Sequence, residues 1–431
     1  MCGINGIINF NQQPVSEESL RTMMQAQKHR GPDDEGVFMD GATGLGFVRL
    51  SILDLSRAGH QPMYSQDKRY VIIYNGEIFN YIELRKELVS KGHTFTTATD
   101  TEVILEAFSE WGEACFHKFN GMWAMVIYDT ITKDILISRD RYGIKPFYYY
   151  LTDDQLIFAS EIRPILSVLP NKPEADYQTI SDYLIFNRTD HTANTFFKGI
   201  RKLQHGHNMK IAIGEGKSFI YKWYHLEKAV AKAEAFQDAE SYLQCFDQSV
   251  GLRLRSDVPV GVCLSGGLDS SAIVYSIVKK HQIEGLNTFS AVYEEGVPGD
   301  ESMFIQLFRK EPVNMFFTAP SADSFFEDLM TYIRSIQEPT PTSSPYFQYK
   351  IMELASQNVV VTLDGQGADE QLAGYHYFFG YFFKDLLRKG KILSLVKELA
   401  QYGKIHRSLL AYKSFIFFLL PSILCQFLYQ T

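Results

Sequence analysis

At 431 residues and about 150 residues per domain, the chain is long enough for two or three domains, and its 45% hydrophobic content excludes a largely disordered protein. The formal net charge is −8 without a basic cluster, which argues against a nucleic-acid partner. The five cysteines are scattered and show no CxxC spacing, which argues against a disulfide framework or a zinc site. The first residues lack a basic stretch followed by an apolar run, so we expect a cytoplasmic protein without a membrane partner.

The second position offers a particular chemistry. Removal of the initiator methionine would leave Cys2 as the first residue, with a thiol and a free α-amine on the same residue. An α-amine has a reference pKa of about 7.7–8.0, so it can accept the thiol proton and act as the general base of its own nucleophile. The pattern predicts an N-terminal nucleophile, although the dipeptide alone is equally compatible with a cysteine of no function.

Residues 1 to about 210 contain many short apolar segments and a few amphipathic ones. The apolar segments predict strands at residues 4–10, 46–53, 69–74, 122–128, 135–139, 147–151 and 156–159. Helical periodicity predicts helices at residues 16–29, 81–91 and 101–111, the first with Ser16 as its N-cap. Asn75-Gly76 is a strong turn signal at the end of one strand. This mixture predicts layered sheets flanked by helices.

Five polar positions in this part could serve a cysteine that attacks a small amino-acid amide. The Asn75 side chain and the Gly76 N–H could stabilise the oxyanion. Arg49 has the forked guanidinium that suits an α-carboxylate, and Glu77 and Asp100 could accept an α-ammonium group. Each residue also has an ordinary structural explanation, since Asn-Gly is usually only a turn and an arginine is more often a surface ion-pair partner.

Several ordered motifs in this part resemble one family. They are MCGI at residues 1–4, RLSI at 49–52, NGEIFN at 75–80, TDTE at 99–102 and DRYGIKPFYY at 140–149. Together they resemble a class II glutamine amidotransferase domain, which implies a four-layer αββα N-terminal-nucleophile fold over residues 2–210 and hydrolysis of glutamine. By this resemblance Cys2 is the nucleophile, with Asn75 and Gly76 as the oxyanion hole. The implied glutamine-binding residues are Arg49, Leu50, Ser51, Ile52, Leu53, Asn75, Gly76, Glu77 and Asp100.

The composition changes after residue 200, and residues 211–238 are expected to be a linker that becomes helical in the Ala-, Lys- and Glu-rich stretch at 227–240. A further helix is predicted at 239–254. Residues 258–264 are apolar on both faces, which predicts a buried strand. The strand leads into SGGLDSS at residues 265–271 and a helix from Ala272, so exposed N–H groups and the helix dipole could hold an anion. The loop is not a Walker motif, and a glycine-rich turn without a ligand stays an alternative.

The following segments repeat the pattern of strand and polar loop. Residues 286–293 and 358–363 are predicted strands, with Asp300 and Glu301 opening a helix between them, and the second strand ends in DGQGADE at 364–370. In a parallel sheet, loops at the carboxyl ends of strands share one site. Asp269 and Asp369 could therefore hold Mg²⁺ bridging a triphosphate. This part is predicted to be an α/β nucleotide-binding domain with a parallel sheet.

SGGLDSS resembles the pyrophosphate loop of ATP pyrophosphatases. With an amidotransferase in front of it, the chain resembles the glutamine-hydrolysing asparagine synthetases, and residues 239–431 correspond to the synthetase domain. The resemblance implies three small-molecule substrates (glutamine, ATP and a carboxylate, most simply aspartate), Mg²⁺, and the products asparagine, glutamate, AMP and pyrophosphate; it leaves a homodimer open. The implied ATP-binding residues are Leu264, Ser265, Gly266, Gly267, Leu268, Asp269, Ser270, Ser271, Ala291, Asp364 and Gly365.

Two features depart from the family pattern. Members that make asparagine typically have SGEGSDE where this chain has DGQGADE, so the acyl-adenylate site has Gln366 in place of a glutamate. Glutamine cannot act as a general base at neutral pH, so another acceptor, such as a sugar uronate, is an alternative to aspartate. The family also usually continues beyond residue 431 with helices and basic residues for the triphosphate. We therefore expect an incomplete synthetase domain, and a chain that retains only glutaminase activity or nucleotide binding is the third alternative.

Overall fold

The computed structural model describes residues 1–293 and 301–420. The N-terminal strands are β1 (Gly3–Asn9), β2 (Asp34–Asp40), β3 (Thr43–Arg49), β4 (Met63–Tyr64), β5 (Tyr70–Ile78), β6 (Gly121–Asp129), β7 (Ile135–Arg139), β8 (Tyr148–Leu151), β9 (Gln155–Ala159), β10 (Ile200–Lys202), β11 (His207–Ala212) and β12 (Lys217–Lys222). The helices among and after them are α1 (Glu17–Ala26), α2 (Tyr81–Ser90), α3 (Asp100–Trp111), α4 (Cys115–Lys118), α5 (Ile162–Leu166), α6 (Tyr177–Phe186) and α7 (Leu226–Lys232).

The remaining elements belong to the C-terminal part. They are α8 (Ala239–Arg253), β13 (Val260–Cys263), α9 (Leu268–Tyr275), β14 (Leu286–Ala291), α10 (Ser302–Ile305), β15 (Val313–Thr318), α11 (Ala322–Ile336), α12 (Ser344–Ala355), β16 (Val361–Leu363), α13 (Ala368–Leu372), α14 (His376–Arg388), α15 (Ile392–His406) and α16 (Leu410–Leu419). Asp300 and the tail after Leu420, on which two of the sequence expectations fall, lie outside the described residues.

The N-terminal strands form two antiparallel six-stranded sheets, in the orders β10-β8-β9-β1-β3-β2 and β12-β11-β7-β6-β5-β4. The sheets face each other across a buried cluster that includes Ile4 and Phe47 from the first sheet and Ile73 and Val126 from the second. Alternate residues of each strand point into this layer because the side-chain period of a strand is two.

Helices cover the outer faces of both sheets. Leu20 of α1 and Ile165 of α5 pack with Ile157 on the first sheet. Val103 of α3 packs with Met125 on the second sheet, in a cluster that also includes residues of α2 and α4. The order helix, sheet, sheet, helix confirms the predicted αββα architecture.

The Asn75-Gly76 pair is not a turn, so that prediction is wrong. Strand β5 continues through it to Ile78, with Asn75 opposite Ala124 and Gly76 opposite Trp123 in the ladder with β6. A Cβ atom on Gly76 would lie 2.3 Å from the carbonyl oxygen of Met122. The glycine therefore permits a close approach of two backbones within the sheet.

Other boundaries also differ from the sequence predictions. Ser16 caps α1 as predicted, accepting a hydrogen bond from the N–H of Ser19. The strand predicted at 46–53 ends at Arg49, since the residues after it form a loop. The second sheet continues past residue 210 because β11 and β12 pair with each other, so it extends into the expected linker.

The C-terminal part contains a parallel sheet in the order β15-β14-β13-β16, which confirms the predicted parallel sheet. Val262 of β13 packs with Val274 and Ile277 in a buried cluster behind the sheet. The helix predicted from Ala272 begins at Leu268, inside the SGGLDSS motif and four residues earlier than predicted. Helices α14–α16 pack through a separate aromatic cluster around Phe383 and Tyr402. Across residues 1–293 and 301–420, none of the helices has the length and apolar character needed to cross a bilayer.

Candidate active site

One cavity in the N-terminal part brings together most of the residues predicted to bind glutamine. They are Cys2, Arg49, Leu50, Ile52, Leu53, Asn75, Gly76, Glu77 and Asp100. Ser51 is not among the lining residues, and its N–H donates instead to the Asp33 carboxylate at 2.7 Å. Cys2 immediately precedes β1, Arg49 ends β3, and Leu50, Ile52 and Leu53 lie in the loop after it. Strand β5 and the first residue of α3 supply the others.

The Cys2 thiol lies beside the strand end that supplies Arg49. The Leu50 N–H donates to Cys2 Sγ at 3.4 Å, and Sγ lies 3.5 Å from the Leu50 carbonyl oxygen. Burial raises the pKa of the Cys2 thiol, so the thiol needs a nearby base to become nucleophilic. Arg30 fixes the backbone here, since its Nε donates to the Cys2 carbonyl oxygen at 3.0 Å.

The terminal amine is also buried in this cavity. Met1 lines it, and burial together with the positive charge of Arg30 lowers the pKa of the Met1 α-amine to about 5. An amine with a lowered pKa is neutral at pH 7 and can accept a proton. Removal of Met1 would transfer this role to the amine of Cys2.

Asn75 has a side-chain donor that is free for a ligand. Asn75 is 1% exposed, and its buried Nδ2 makes no hydrogen bond to any part of the chain that the structure describes. A buried amide donor without a partner is costly, unless a ligand satisfies it. Since Asn75 lines the cavity that contains Cys2, its Nδ2 is suited to an oxyanion.

Arg49 is held rigidly by backbone carbonyls of the loop that follows β3. Its two terminal nitrogens donate to the carbonyl oxygens of Leu53 at 3.2 Å, Asp54 at 2.5 Å and Ser56 at 2.8 Å. A guanidinium has five N–H donors, so these three bonds leave the Nε–H and one Nη1–H for a ligand. Gly59 packs against the group so closely that an added Cβ atom would lie 1.9 Å from an Arg49 terminal nitrogen.

Glu77 and Asp100 place two carboxyl groups in the same cavity. Burial and the charge of Asp100 raise the pKa of Glu77 to about 8. Asp100 accepts hydrogen bonds from the Tyr74 hydroxyl at 3.0 Å and the Ile78 N–H at 2.9 Å. Burial nevertheless raises the pKa of Asp100. A pair of buried carboxyl groups is suited to a ligand ammonium group.

Sequence reasoning missed Lys145, which lines the same cavity and is 6% exposed. Its Nζ lies 3.1 Å from the Met1 Sδ atom, and burial lowers the pKa of Lys145. The residue belongs to the DRYGIKPFYY motif, so the motif contained the signal although no role was assigned to this position.

A second cavity lies at the carboxyl ends of β13 and β16. The residues that line it include eight of those predicted to bind ATP or to form the acyl-adenylate site: Leu264, Ser265, Gly267, Asp269, Ser270, Asp364, Gly365 and Gln366. Gly266, Leu268 and Ser271 line a neighbouring depression with Phe304 and Phe308, and Ala291 is the last residue of β14. The two loops therefore meet at one edge of the sheet, as expected for a parallel sheet.

Hydroxyl groups stabilise the SGGLDSS loop from within. Ser265 Oγ lies 3.0 Å from Ser270 Oγ and accepts from the Gly267 N–H at 3.2 Å. Gly266 has φ +90, a conformation that favours glycine. Gln348, which sequence reasoning missed, also lines this cavity and donates to the Asp364 carboxylate at 2.8 Å.

The two predicted metal ligands, Asp269 and Asp369, both line this second cavity. Burial and the charge of Asp369 raise the pKa of Asp269, so the two carboxylates lie near each other. Within the described ranges, no cluster of three or more His, Cys, Asp or Glu side chains could hold a metal ion. The pair fits Mg²⁺ only if phosphate oxygens and water complete its coordination, which is how Mg²⁺ is commonly bound beside nucleotides.

The sequence profile described as "Glutamine amidotransferase domain" matches residues 1–224, and the one described as "Asparagine synthase" matches residues 241–412. "Putative asparagine synthetase 2, glutamine-hydrolyzing" of Methanocaldococcus jannaschii is 36% identical over 90% of this chain and 78% of its own length. The chain belongs to the glutamine-hydrolysing asparagine synthetase family.

Other relatives of this family are longer than the chain. "Asparagine synthetase 1, glutamine-hydrolyzing" of Bacillus subtilis is 34% identical over 88% of this chain and 59% of its own length. "Amidase chry2" of Gibberella zeae is 29% identical over 88% of this chain and 60% of its own length. The chain therefore spans about three fifths of the length of these two relatives.

Proposed function

We propose that the chain transfers the amide nitrogen of glutamine to a carboxylate that ATP activates, most simply aspartate. Glutamine is hydrolysed at Cys2 to glutamate and ammonia. ATP and the acceptor carboxylate form an acyl-adenylate and pyrophosphate, and ammonia attacks the acyl carbon and displaces AMP. The observation that supports this most directly is the cavity in which Cys2, Arg49 and Asn75 meet.

In the glutaminase half, each part of glutamine has a matching group. The two free donors of Arg49 suit the α-carboxylate, and Glu77 with Asp100 suits the α-ammonium group. The amide carbon would then face Cys2 Sγ, and the oxyanion formed by attack would accept from Asn75 Nδ2 and the Gly76 N–H. The α-amine of a processed Cys2 would take the thiol proton and pass it to the leaving ammonia.

In the synthetase half, the loops at residues 265–271 and 364–370 provide backbone N–H groups and carboxylates for Mg·ATP. Mg²⁺, when bound, would neutralise phosphate charge. Asp269 and Asp369 would hold it, and the helix N-terminus at Leu268 would face the phosphates. A carboxylate is a poor acyl donor, so activation must precede attack by ammonia.

The test is an incubation of the chain, after removal of Met1, with amide-¹⁵N-labelled glutamine, Mg·ATP and aspartate. We expect labelled asparagine with glutamate, AMP and pyrophosphate. The Cys2→Ala variant should make asparagine from ammonium ions but not from glutamine. Formation of asparagine without consumption of glutamine by the unmodified chain would contradict the glutaminase assignment.

A second candidate acceptor is a carboxylate other than aspartate. Gln366 lines the second cavity with Asp269, Glu301, Asp369 and Glu370, and no lysine or arginine from the described ranges is among the lining residues. Glutamine at this position cannot act as a general base at neutral pH, whereas the family resemblance implies a glutamate there in members that make asparagine. Label transfer to another acid, and not to aspartate, would favour this candidate.

A further inference from the structure

The segment of residues 253–257, which comprises the last residue of α8 and the start of the loop to β13, belongs to the synthetase part but contacts the glutaminase part. We infer that Asp257 in this segment is a positioning residue for glutamine recognition, acting through the loop that holds Arg49. The inference rests on the proposed function, since it assumes that Arg49 binds the glutamine carboxylate. It names a role for a side chain that lies outside both cavities.

Asp257 makes two hydrogen bonds to that loop. Its carboxylate accepts from the Asp54 N–H at 2.7 Å, and its own N–H donates to the Ile52 carbonyl oxygen at 3.0 Å. The two bonds hold the loop on both sides of Leu53. The acceptor of the first bond is the charged Asp257 carboxylate, so this bond is stronger than a bond between neutral groups.

The first bond acts on a peptide group that Arg49 also uses. The Asp54 N–H and the Leu53 carbonyl belong to one peptide unit, and the Leu53 oxygen accepts from the Arg49 guanidinium at 3.2 Å. An acceptor on the N–H side of a peptide polarises its carbonyl and strengthens the bond that the carbonyl accepts. Asp257 is therefore connected to Arg49 through a single peptide group.

The loop also has a conformation that needs support. Asp54 has a φ of +52°, in the left-handed region that residues other than glycine adopt less often. Such a conformation persists only when surrounding contacts impose it. The carbonyl groups of Leu53 and of Asp54 itself orient Arg49. Relaxation of the loop would therefore misplace the guanidinium.

The rest of the segment is attached to the glutaminase part at different points. Arg255 donates to the Glu83 carboxylate at 2.6 Å and to the Phe79 carbonyl oxygen at 2.7 Å. Arg253 lies over the Phe79 ring at 4.7 Å. Glu83 is exposed, and within the described residues its carboxylate bonds to Arg255 and not to the Arg49 loop. It therefore offers a matched control for a contact between the two parts.

The experiment compares Asp257→Ala, Asp257→Asn and Glu83→Gln in the full chain after removal of Met1. Steady-state glutaminase assays give kcat and KM for glutamine, and mass spectrometry gives the rate at which iodoacetamide alkylates Cys2. We expect Asp257→Ala to raise KM about tenfold, a factor equivalent to about 1.4 kcal/mol, with kcat and the alkylation rate nearly unchanged. Asp257→Asn keeps an acceptor oxygen and should restore most of the KM, and Glu83→Gln should leave it unchanged.

Three results would overturn the inference. An unchanged KM in Asp257→Ala would contradict the role of Asp257 alone and leave the proposed function in place. A fall in kcat and in Cys2 alkylation, shared by Glu83→Gln, would show that the segment only holds the two parts together. Absence of glutaminase activity in the unmodified chain would overturn the proposed function and this inference together.

Discussion

Glu77 and Asp100 lie close together in the cavity that contains Cys2, where burial and the negative charge of Asp100 raise the pKa of Glu77 to about 8. In the free protein at pH 7, Glu77 is therefore mostly protonated. A ligand ammonium group favours the ionised form, so binding must release this proton below pH 8. We predict that KM for glutamine falls as the pH rises from about 6 to about 8, because less binding energy is then used to ionise Glu77.

The measurement is the pH dependence of KM for glutamine in the unmodified chain and in Glu77→Gln. The variant should bind glutamine more weakly, and its KM should lose most of the dependence on pH because the titrating group is absent. A KM that varies with pH in the same way in both proteins would show that a different group titrates.

Cys2 is predicted to be required for glutaminase activity. Cys2→Ala should abolish glutamate formation, while an exposed cysteine, Cys245, can be replaced by alanine without effect. Mass spectrometry of active protein should show a chain that begins at Cys2, since retention of Met1 would leave the nucleophile without an α-amine of its own. Glutaminase activity in Cys2→Ala would contradict the assignment of the nucleophile.

Asn75→Ala removes the amide donor that has no partner among the described residues. The loss of one oxyanion donor typically costs about 2.7–4 kcal/mol of transition-state stabilisation, or about 10²–10³ in kcat. We expect this fall in kcat with little change in KM, because the donor acts mainly on the charge that develops during attack. The thermal midpoint should change little, since Nδ2 makes no hydrogen bond within the described residues that the variant would lose. A change confined to KM would contradict the oxyanion role.

Gly59→Ala tests the position of Arg49 without changing Arg49 itself. The added Cβ atom would lie 1.9 Å from a guanidinium nitrogen, so the group must move away from the loop carbonyls that hold it. We expect a higher KM for glutamine with a smaller effect on kcat. Gly214→Ala is the control, since a Cβ atom there would meet nothing within 4 Å. An unchanged KM in Gly59→Ala would show that Arg49 does not set glutamine affinity.

The sequence predicted the layers and most elements of the fold because their signals are local. Ser16 caps a helix through its own hydroxyl, and alternating apolar residues place Ile4 and Ile73 between the sheets. Asn75-Gly76 was misplaced because the same dipeptide suits a hairpin turn and a close contact between strands. Only the neighbouring strand, with Met122 next to Gly76, distinguishes the two.

Candidate site residues can be predicted from the sequence where they belong to a motif. They cannot be predicted where their position depends on contacts between residues that are far apart in the chain. Cys2, Arg49 and Asn75 belong to sequence motifs, so the sequence alone indicates them as candidates. The three carbonyls that hold Arg49, and the bond from the Asp54 N–H to Asp257, join residues that no local pattern relates. Such contacts follow from the packing of the two parts.

Gln366 lines the second cavity, and its backbone N–H donates to the Asp364 carboxylate at 3.2 Å. The family resemblance implies a glutamate at this position in members that make asparagine. If the acceptor is aspartate, Gln366→Glu supplies an ionisable group, and the neighbouring carboxylates would raise its pKa toward a value suited to proton transfer. We expect aspartate-dependent exchange between ATP and pyrophosphate to be weak in the unmodified chain and at least about tenfold faster in Gln366→Glu.

The control is Gln357→Glu, an isosteric change at an exposed position in the same domain. Asp269→Ala should abolish exchange in either background, because it removes one of the two carboxylates proposed to hold Mg²⁺ in the second cavity. Vigorous aspartate-dependent exchange in the unmodified chain would show that glutamine suffices at this position. Exchange with a different acid, suppressed by Gln366→Glu, would instead identify Gln366 as a determinant of an acceptor other than aspartate.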